Sequence, residues 1–242
     1  MPSEDRNLQS LPKEIRLIIY DYLFTPQYFR QWPSSRAIDT IPNSLSILRT
    51  CTAIKNEASY FLYSSRTFQF HLPNSLDNTR TILPDSAFKN LMNIYIATWE
   101  MGSLRGRVPD QMSENLATLL SRFSGSSILR SRLTIVLDPS KQALCKPESE
   151  VVDSLGKLNG FQKVLVEFKA DLWRSRHLLD RARRAGRLWD PTRQTECEFY
   201  DEIVGKIMHR VELGLGEGKV CSDIPSAQGP QYVRWVEFKP RG

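Results

Sequence analysis

The densest set of charged side chains in this chain lies between residues 171 and 189. Six arginines fall within 14 residues, opposed there only by Asp180. On a helical wheel the apolar residues of this stretch share one side and the arginines the other, which predicts an amphipathic helix. Its basic face could bind nucleic acid or an acidic protein surface, or it could simply be solvated. The residues concerned are Arg174, Arg176, Arg181, Arg183, Arg184 and Arg187.

Signatures of catalysis are missing from the sequence. It has no G-x-S-x-G or H-E-x-x-H motif, and its four cysteines and three histidines form no close ligand pairs. The glycine-rich residues 214–218 follow a predicted helix, so they indicate a helix end and a turn, not a phosphate loop. We therefore expect no metal, no cofactor and no enzymatic activity, with an enzyme of unrecognised type as an alternative.

Length and composition are those of a globular protein. The chain has 242 residues, a net charge of +6 and 40% hydrophobic residues, enough for one large domain or two small ones. No apolar run approaches the roughly 18 residues that span a membrane, and the first residues lack a secretory apolar core. These features predict a cytoplasmic or nuclear protein without a membrane partner.

Continuous apolar runs predict strands at residues 93–99, 133–137 and 164–168. Helical patterns separate them, around Leu116–Phe123 and Val151–Leu158. Such an alternation is typical of parallel strands covered by helices, so these three strands should be parallel neighbours. A further helix over 195–214, an exposed connection over 214–230 and a last strand over 231–239 complete the pattern. The predicted fold class is α/β with mostly parallel strands, and α+β is the alternative.

An amphipathic helix is predicted near the start of the chain, over residues 12–23. Its apolar stripe needs a partner, because a single helix cannot bury its own stripe. A second helix from Ser44, with Cys51 on its buried side, and a strand over 66–72 could provide that partner. Another protein could do so as well, and both can hold if the first helix has two apolar edges. The stripe consists of Ile15, Ile18, Ile19, Tyr22 and Leu23.

Two blocks carry a resemblance to a known family. The first is LPKEIRLIIYDYLF at residues 11–24, and the second comprises LRTC, NEA, LYS and TFQF between residues 48 and 70. Together they resemble the F-box-like segment of a large family of mostly uncharacterised fungal proteins. The connection between the two helices, about 20 residues, is longer than in an ordinary F-box.

The resemblance implies a non-enzymatic function. F-box helices bind the Skp1 adaptor of ubiquitin ligases, while the rest of the chain recruits a target protein. It implies an F-box-like segment over 1–72 and an irregular, leucine-rich-repeat-like α/β recognition region over 73–242, unless the two form one continuous domain. Nucleic acid is the less favoured partner. The residues implied to bind the adaptor are Leu11, Pro12, Ile15, Ile19 and Leu23.

Overall fold

The computed structural model describes nine stretches of the chain: 7–24, 28–31, 44–71, 85–98, 110–124, 128–138, 149–171, 196–221 and 231–240. The helices are α1 (Lys13–Leu23), α2 (Thr52–Ser65), α3 (Asp85–Asn90), α4 (Asp110–Ser121), α5 (Glu150–Gly156) and α6 (Glu196–Leu215). The strands are β1 (Tyr28–Gln31), β2 (Thr67–His71), β3 (Asn93–Ala97), β4 (Arg132–Leu137), β5 (Val164–Asp171), β6 (Gly218–Cys221) and β7 (Gln231–Phe238). Short 3-10 helices at Leu8–Ser10 and Ser44–Arg49 precede α1 and α2.

All seven described strands form one sheet in the order β1-β2-β3-β4-β5-β7-β6. Strands β1 to β5 are parallel, and β7 runs antiparallel to both β5 and β6. The prediction that the strands near 94, 133 and 164 are parallel neighbours is confirmed, since Ile94 pairs with Leu133 and Leu133 with Val164. The α/β fold class is therefore confirmed.

The described helices that contact the sheet pack on one of its faces. Strand residues alternate between faces, and the apolar set that includes Phe70, Ile96 and Ile135 belongs to the main core with residues of α2 to α6. The ring of Phe70 lies 5.7 Å from that of Phe88 on α3, and Arg234 pairs with Asp201 on α6 at 2.7 Å. Burying this face in one continuous core is the main stabilising contribution.

The prediction of the second helix is wrong in one respect. It does not run unbroken from Ser44: a 3-10 helix ends at Arg49, and α2 begins only at Thr52. Cys51 is the N-cap of α2 in an extended conformation, and this break rotates it out of the stripe. Cys51 is consequently exposed, not buried, and its Sγ accepts a hydrogen bond from Gln9.

The end of α6 also differs from the prediction. The helix continues through Gly214 and ends at Leu215, and Gly216, with φ 90°, turns the chain. A Cβ on Gly214 would lie 2.0 Å from the carbonyl oxygen of Gly156, so this glycine permits the close crossing of α5 and α6. The predicted connection over 214–230 contains an unpredicted strand, β6, which is too short to show an alternating pattern.

Two further predictions concern the domain boundary at residue 72 and the arginine-rich helix. Strand β2 pairs in parallel with β3, so the sheet runs across the predicted boundary at residue 72. The predicted arginine-rich helix lies outside the described residues, except that Asp171 is the last residue of β5. No helix in the described ranges is long and apolar enough to cross a membrane.

Candidate partner-binding site

Helix α1 is attached to the molecule by two aromatic side chains. Tyr20 and Phe24 are fully buried, and their ring centroids lie 6.0 and 6.4 Å from that of Phe61 on α2. Such tilted and stacked pairs stabilise a core beyond the area that they bury. Leu17 and Leu23, both partly buried, pack beside them. This inner edge of α1 is its contribution to the core.

A second apolar row lies on the outside of α1. It begins just before the helix and continues in steps of four, three and four residues, which aligns the side chains along one face. The exposed fractions increase along the row, which consists of Leu11 at 37%, Ile15 at 43%, Ile18 at 65% and Tyr22 at 81%. We call these four residues the outer row.

The predicted adaptor-binding residues divide between the two edges. Leu11, Pro12 and Ile15 are exposed, whereas Ile19 and Leu23 are half-buried and Leu23 packs on the core. The structure therefore brings only part of the predicted set to the surface. The other two members of the outer row, Ile18 and Tyr22, were in the predicted stripe but not in the predicted binding set. Extending the spacing from Leu11 and Ile15 would have found them.

An ion pair fixes the first turn of α1 on α2. The guanidinium of Arg16 donates two hydrogen bonds to the carboxylate of Glu57, at 3.0 and 2.7 Å, and a third to the carbonyl oxygen of Leu11 at 2.6 Å. The hydrogen bond from Arg16 lowers the pKa of Glu57 below its ordinary value. A bidentate pair of this kind sets orientation as well as distance. Glu57 thus has a positioning role.

A second ion pair fixes the other end of α1. Arg66, just after α2, donates to the side chain of Asp21 at 2.7 Å and to its carbonyl oxygen at 2.9 Å. The guanidinium carbon of Arg66 also lies 5.7 Å from the centroid of the Phe61 ring. With both ends fixed, α1 cannot roll to bury its outer row against α2. The two ion pairs therefore keep α1 in an orientation in which its outer row stays at the surface.

The chemistry of this site is that of apolar docking. Three of the four outer-row side chains are aliphatic and the fourth is the phenol of Tyr22, and within the described ranges no group of three His, Cys, Asp or Glu side chains could hold a metal ion. The six predicted anion-binding arginines lie outside the described residues. Comparison with family models, curated proteins and solved structures finds no match to this chain.

Proposed function

We propose that this protein is a non-enzymatic, F-box-like substrate-recognition subunit that docks a Skp1-like adaptor through the outer row of α1. A ubiquitin ligase of this kind acts in the cytosol or the nucleus. The α/β region would recruit the target protein. The proposal combines the resemblance in residues 11–70 with the two-edged geometry of α1.

One observation carries the proposal. Helix α1 uses Tyr20 and Phe24 for its own core and leaves four large apolar side chains at the surface in one line. Contiguous exposed apolar patches mark interaction sites, and a row at helical spacing fits a hydrophobic groove on a partner. The held position of α1 lowers the entropic cost of docking, because the helix is already in its bound conformation.

The test measures binding of the purified chain to Skp1 by calorimetry. The double variant Ile18→Asp, Tyr22→Asp should weaken binding by at least about a hundredfold, because each of its two substitutions places an unpaired carboxylate in an apolar interface. Circular dichroism should show an unchanged fold, since both side chains are exposed.

Leu213→Asp is the matched control. Leu213 is 78% exposed on α6, so this variant adds a carboxylate to a similarly exposed apolar position on another helix, with one negative charge where the double variant adds two. It should leave Skp1 binding unchanged. Absence of association between wild-type protein and Skp1 at tens of micromolar would contradict the proposal, and so would equal losses in the double variant and the control.

A second proposal rests on the arginine cluster in residues 174–187 and the net charge of +6. A basic module would bind RNA, DNA or an acidic protein surface, and its affinity would decrease steeply with salt because each phosphate contact releases counterions. Retention on RNA that disappears between low and moderate salt distinguishes this function from adaptor docking, which depends on apolar contact.

A further inference from the structure

A row of basic residues crosses the edge of the sheet at which the parallel strands begin. Strands β4, β5, β7 and β6 are neighbours in that order, and each contributes one cation where it begins or, for the antiparallel β7, where it ends. Arg132 is the first residue of β4, Lys163 precedes β5, Lys239 follows β7, and Lys219 is the second residue of β6. We call these four residues the basic row.

Register places the basic row on the face of the sheet opposite the main core. The residues next to its members in sequence are themselves paired across the four strands: Leu133, Val164, Phe238 and Gly218. The first three of these are fully buried in the main core. Because side chains alternate between faces and neighbouring strands are about 4.8 Å apart, the four cations lie close together on the other face.

Glu237 is the carboxylate that three of these cations share. It lies directly across from Lys219 in the register of β7 with β6, and its Oε2 pairs with the Nζ of Lys163 at 2.5 Å. The hydrogen bond from Lys163 lowers the pKa of this carboxyl group, and the charges of Lys239 and Lys219 lower it further. One negative charge is therefore surrounded by three lysines.

The basic row is open to solvent and carries more positive charge than the fold neutralises. Arg132, Lys219 and Lys239 are exposed, and the side chain of Lys163 is 38% exposed. The Nε of Arg132 donates to the hydroxyl of Thr134 at 3.2 Å. Within the described ranges no carboxylate pairs with the three exposed members of the row.

The needs of the fold do not account for this row. Cations at helix C-termini complement the helix dipole, as Lys89 and Lys157 do at the ends of α3 and α5. A sheet has only a small net dipole, so strand cations gain no such stabilisation, and like charges on neighbouring strands repel each other. The row therefore costs the free protein stability, and an anion that binds across it would relieve the repulsion.

We infer that the basic row binds the sugar–phosphate backbone of a nucleic acid. Its cations follow one another at the spacing of the strands, which suits a chain of repeated phosphates. Lysine binds phosphate as a point charge without a fixed geometry, and such contacts are independent of base sequence. The inference rests on the nucleic-acid function proposed above as the second candidate, and it assigns that function to residues outside 174–187.

The experiment measures binding of the full-length chain to a fluorescein-labelled single-stranded oligouridine by fluorescence anisotropy, at about 50 mM salt. The lysine variant, Lys219→Glu with Lys239→Glu, should weaken binding by at least about tenfold. The control, Lys13→Glu with Lys55→Glu, makes the same change in net charge at exposed lysines of α1 and α2. It should change the affinity by less than about threefold. Equal losses in the two variants would overturn the inference, because net charge alone would then explain binding.

Two further measurements keep the test decisive. If the lysine variant does not fold, Lys219→Gln with Lys239→Gln replaces it. Loss of two phosphate contacts should reduce the slope of log affinity against log salt by about 1 to 2, and an unchanged slope would contradict the inference. Poly-glutamate should compete at least about tenfold less well than oligouridine, since its flexible side chains must be ordered on binding. Equal competition would assign the row to an acidic protein surface and overturn the inference.

Failure of this inference can be separated from failure of the second candidate function. The arginine variant for this comparison is Arg176→Glu, Arg183→Glu, Arg187→Glu. Loss of RNA binding in the arginine variant alone would overturn the inference and leave the second candidate function intact. Loss in the lysine variant alone supports the inference and contradicts the assignment to the arginines. No binding by the wild-type chain at about 50 mM salt would overturn both.

Discussion

Helices α1 and α6 both carry an apolar stripe, yet the molecule uses the two stripes differently. In α6 the predicted stripe includes Val204, Ile207 and Val211, and all three are buried. In α1 the predicted stripe is mostly at the surface, and Tyr20 and Phe24, which lie outside it, are the buried anchors. A helix that serves only the core buries its apolar stripe, as α6 does. The exposed apolar surface of α1 is the observation on which the proposed adaptor docking rests.

The largest effect we expect comes from placing a charge in each stripe. Val204→Asp buries an unpaired carboxylate in the core and should lower the free energy of unfolding by about 4 kcal/mol or more. Ile18→Asp on the outer row should lower it by less than about 1 kcal/mol, mostly through helix propensity. Urea unfolding of both variants measures the difference. Equal losses would show that the outer row of α1 is part of the core.

A smaller effect concerns the glycines of α6, which test how tightly this helix is packed. Gly214→Ala would bring a Cβ within 2.0 Å of the Gly156 oxygen, forcing α5 and α6 apart, at a cost of about 1–3 kcal/mol. The control is Gly205→Ala, since no atom lies within 4 Å of the added Cβ. It should stabilise the protein by roughly 0.5–1 kcal/mol. Thermal unfolding of both variants provides the measurement, and stabilisation by Gly214→Ala would refute the close crossing.

The smallest expected effect comes from removing one of the ion pairs that hold α1 and α6 in place. Arg16 and Glu57 are 17% and 25% exposed, whereas Arg210 and Asp153, which join α6 to α5, are 49% and 42% exposed. Exposed pairs contribute little. Glu57→Gln should therefore lower the midpoint of thermal unfolding by a few degrees, and Asp153→Asn should leave it nearly unchanged.

The stability difference between wild type and Glu57→Gln should depend on pH in a known direction. Because Arg16 lowers the pKa of Glu57 in the folded protein, the stabilisation is complete above the ordinary glutamate pKa, about 4.3, and is lost as pH falls through the lowered value. The gap between wild type and Glu57→Gln should thus be present at pH 7 and close in strong acid. A gap that widens in acid would contradict the assigned ion pair.

The parallel arrangement of β3, β4 and β5 could be predicted from the sequence because its signals are local. Strands β3, β4 and β5 are continuous apolar runs between helical patterns, and each pattern is readable within a few residues. The outer row of α1 was partly predictable for the same reason. Position along a helix follows from spacing, so Leu11 and Ile15 pointed to Ile18 and Tyr22.

Other features depend on contacts between distant residues. The spacing of α1 does not say which of its edges faces α2, and that choice follows from the packing of Tyr20 and Phe24 against Phe61 and from ion pairs across more than forty positions in the sequence. The exposure of Cys51 follows from a break between two helices that spacing alone did not reveal.

The sequence by itself determined the types of α1, α2, α4 to α6, β2 to β5 and β7, and the parallel order of the central strands β3 to β5, because periodicity and turn chemistry are properties of neighbouring residues; β1, α3 and β6 were not predicted. Only the tertiary structure decided that Glu167 and Trp235 lie side by side. Almost seventy residues separate them, and their pairing depends on β7 adding antiparallel to β5. Burial and hydrogen-bond satisfaction are set by the whole fold, so neither the burial of Glu167 nor the unsatisfied indole N–H of Trp235 can be read from composition or spacing.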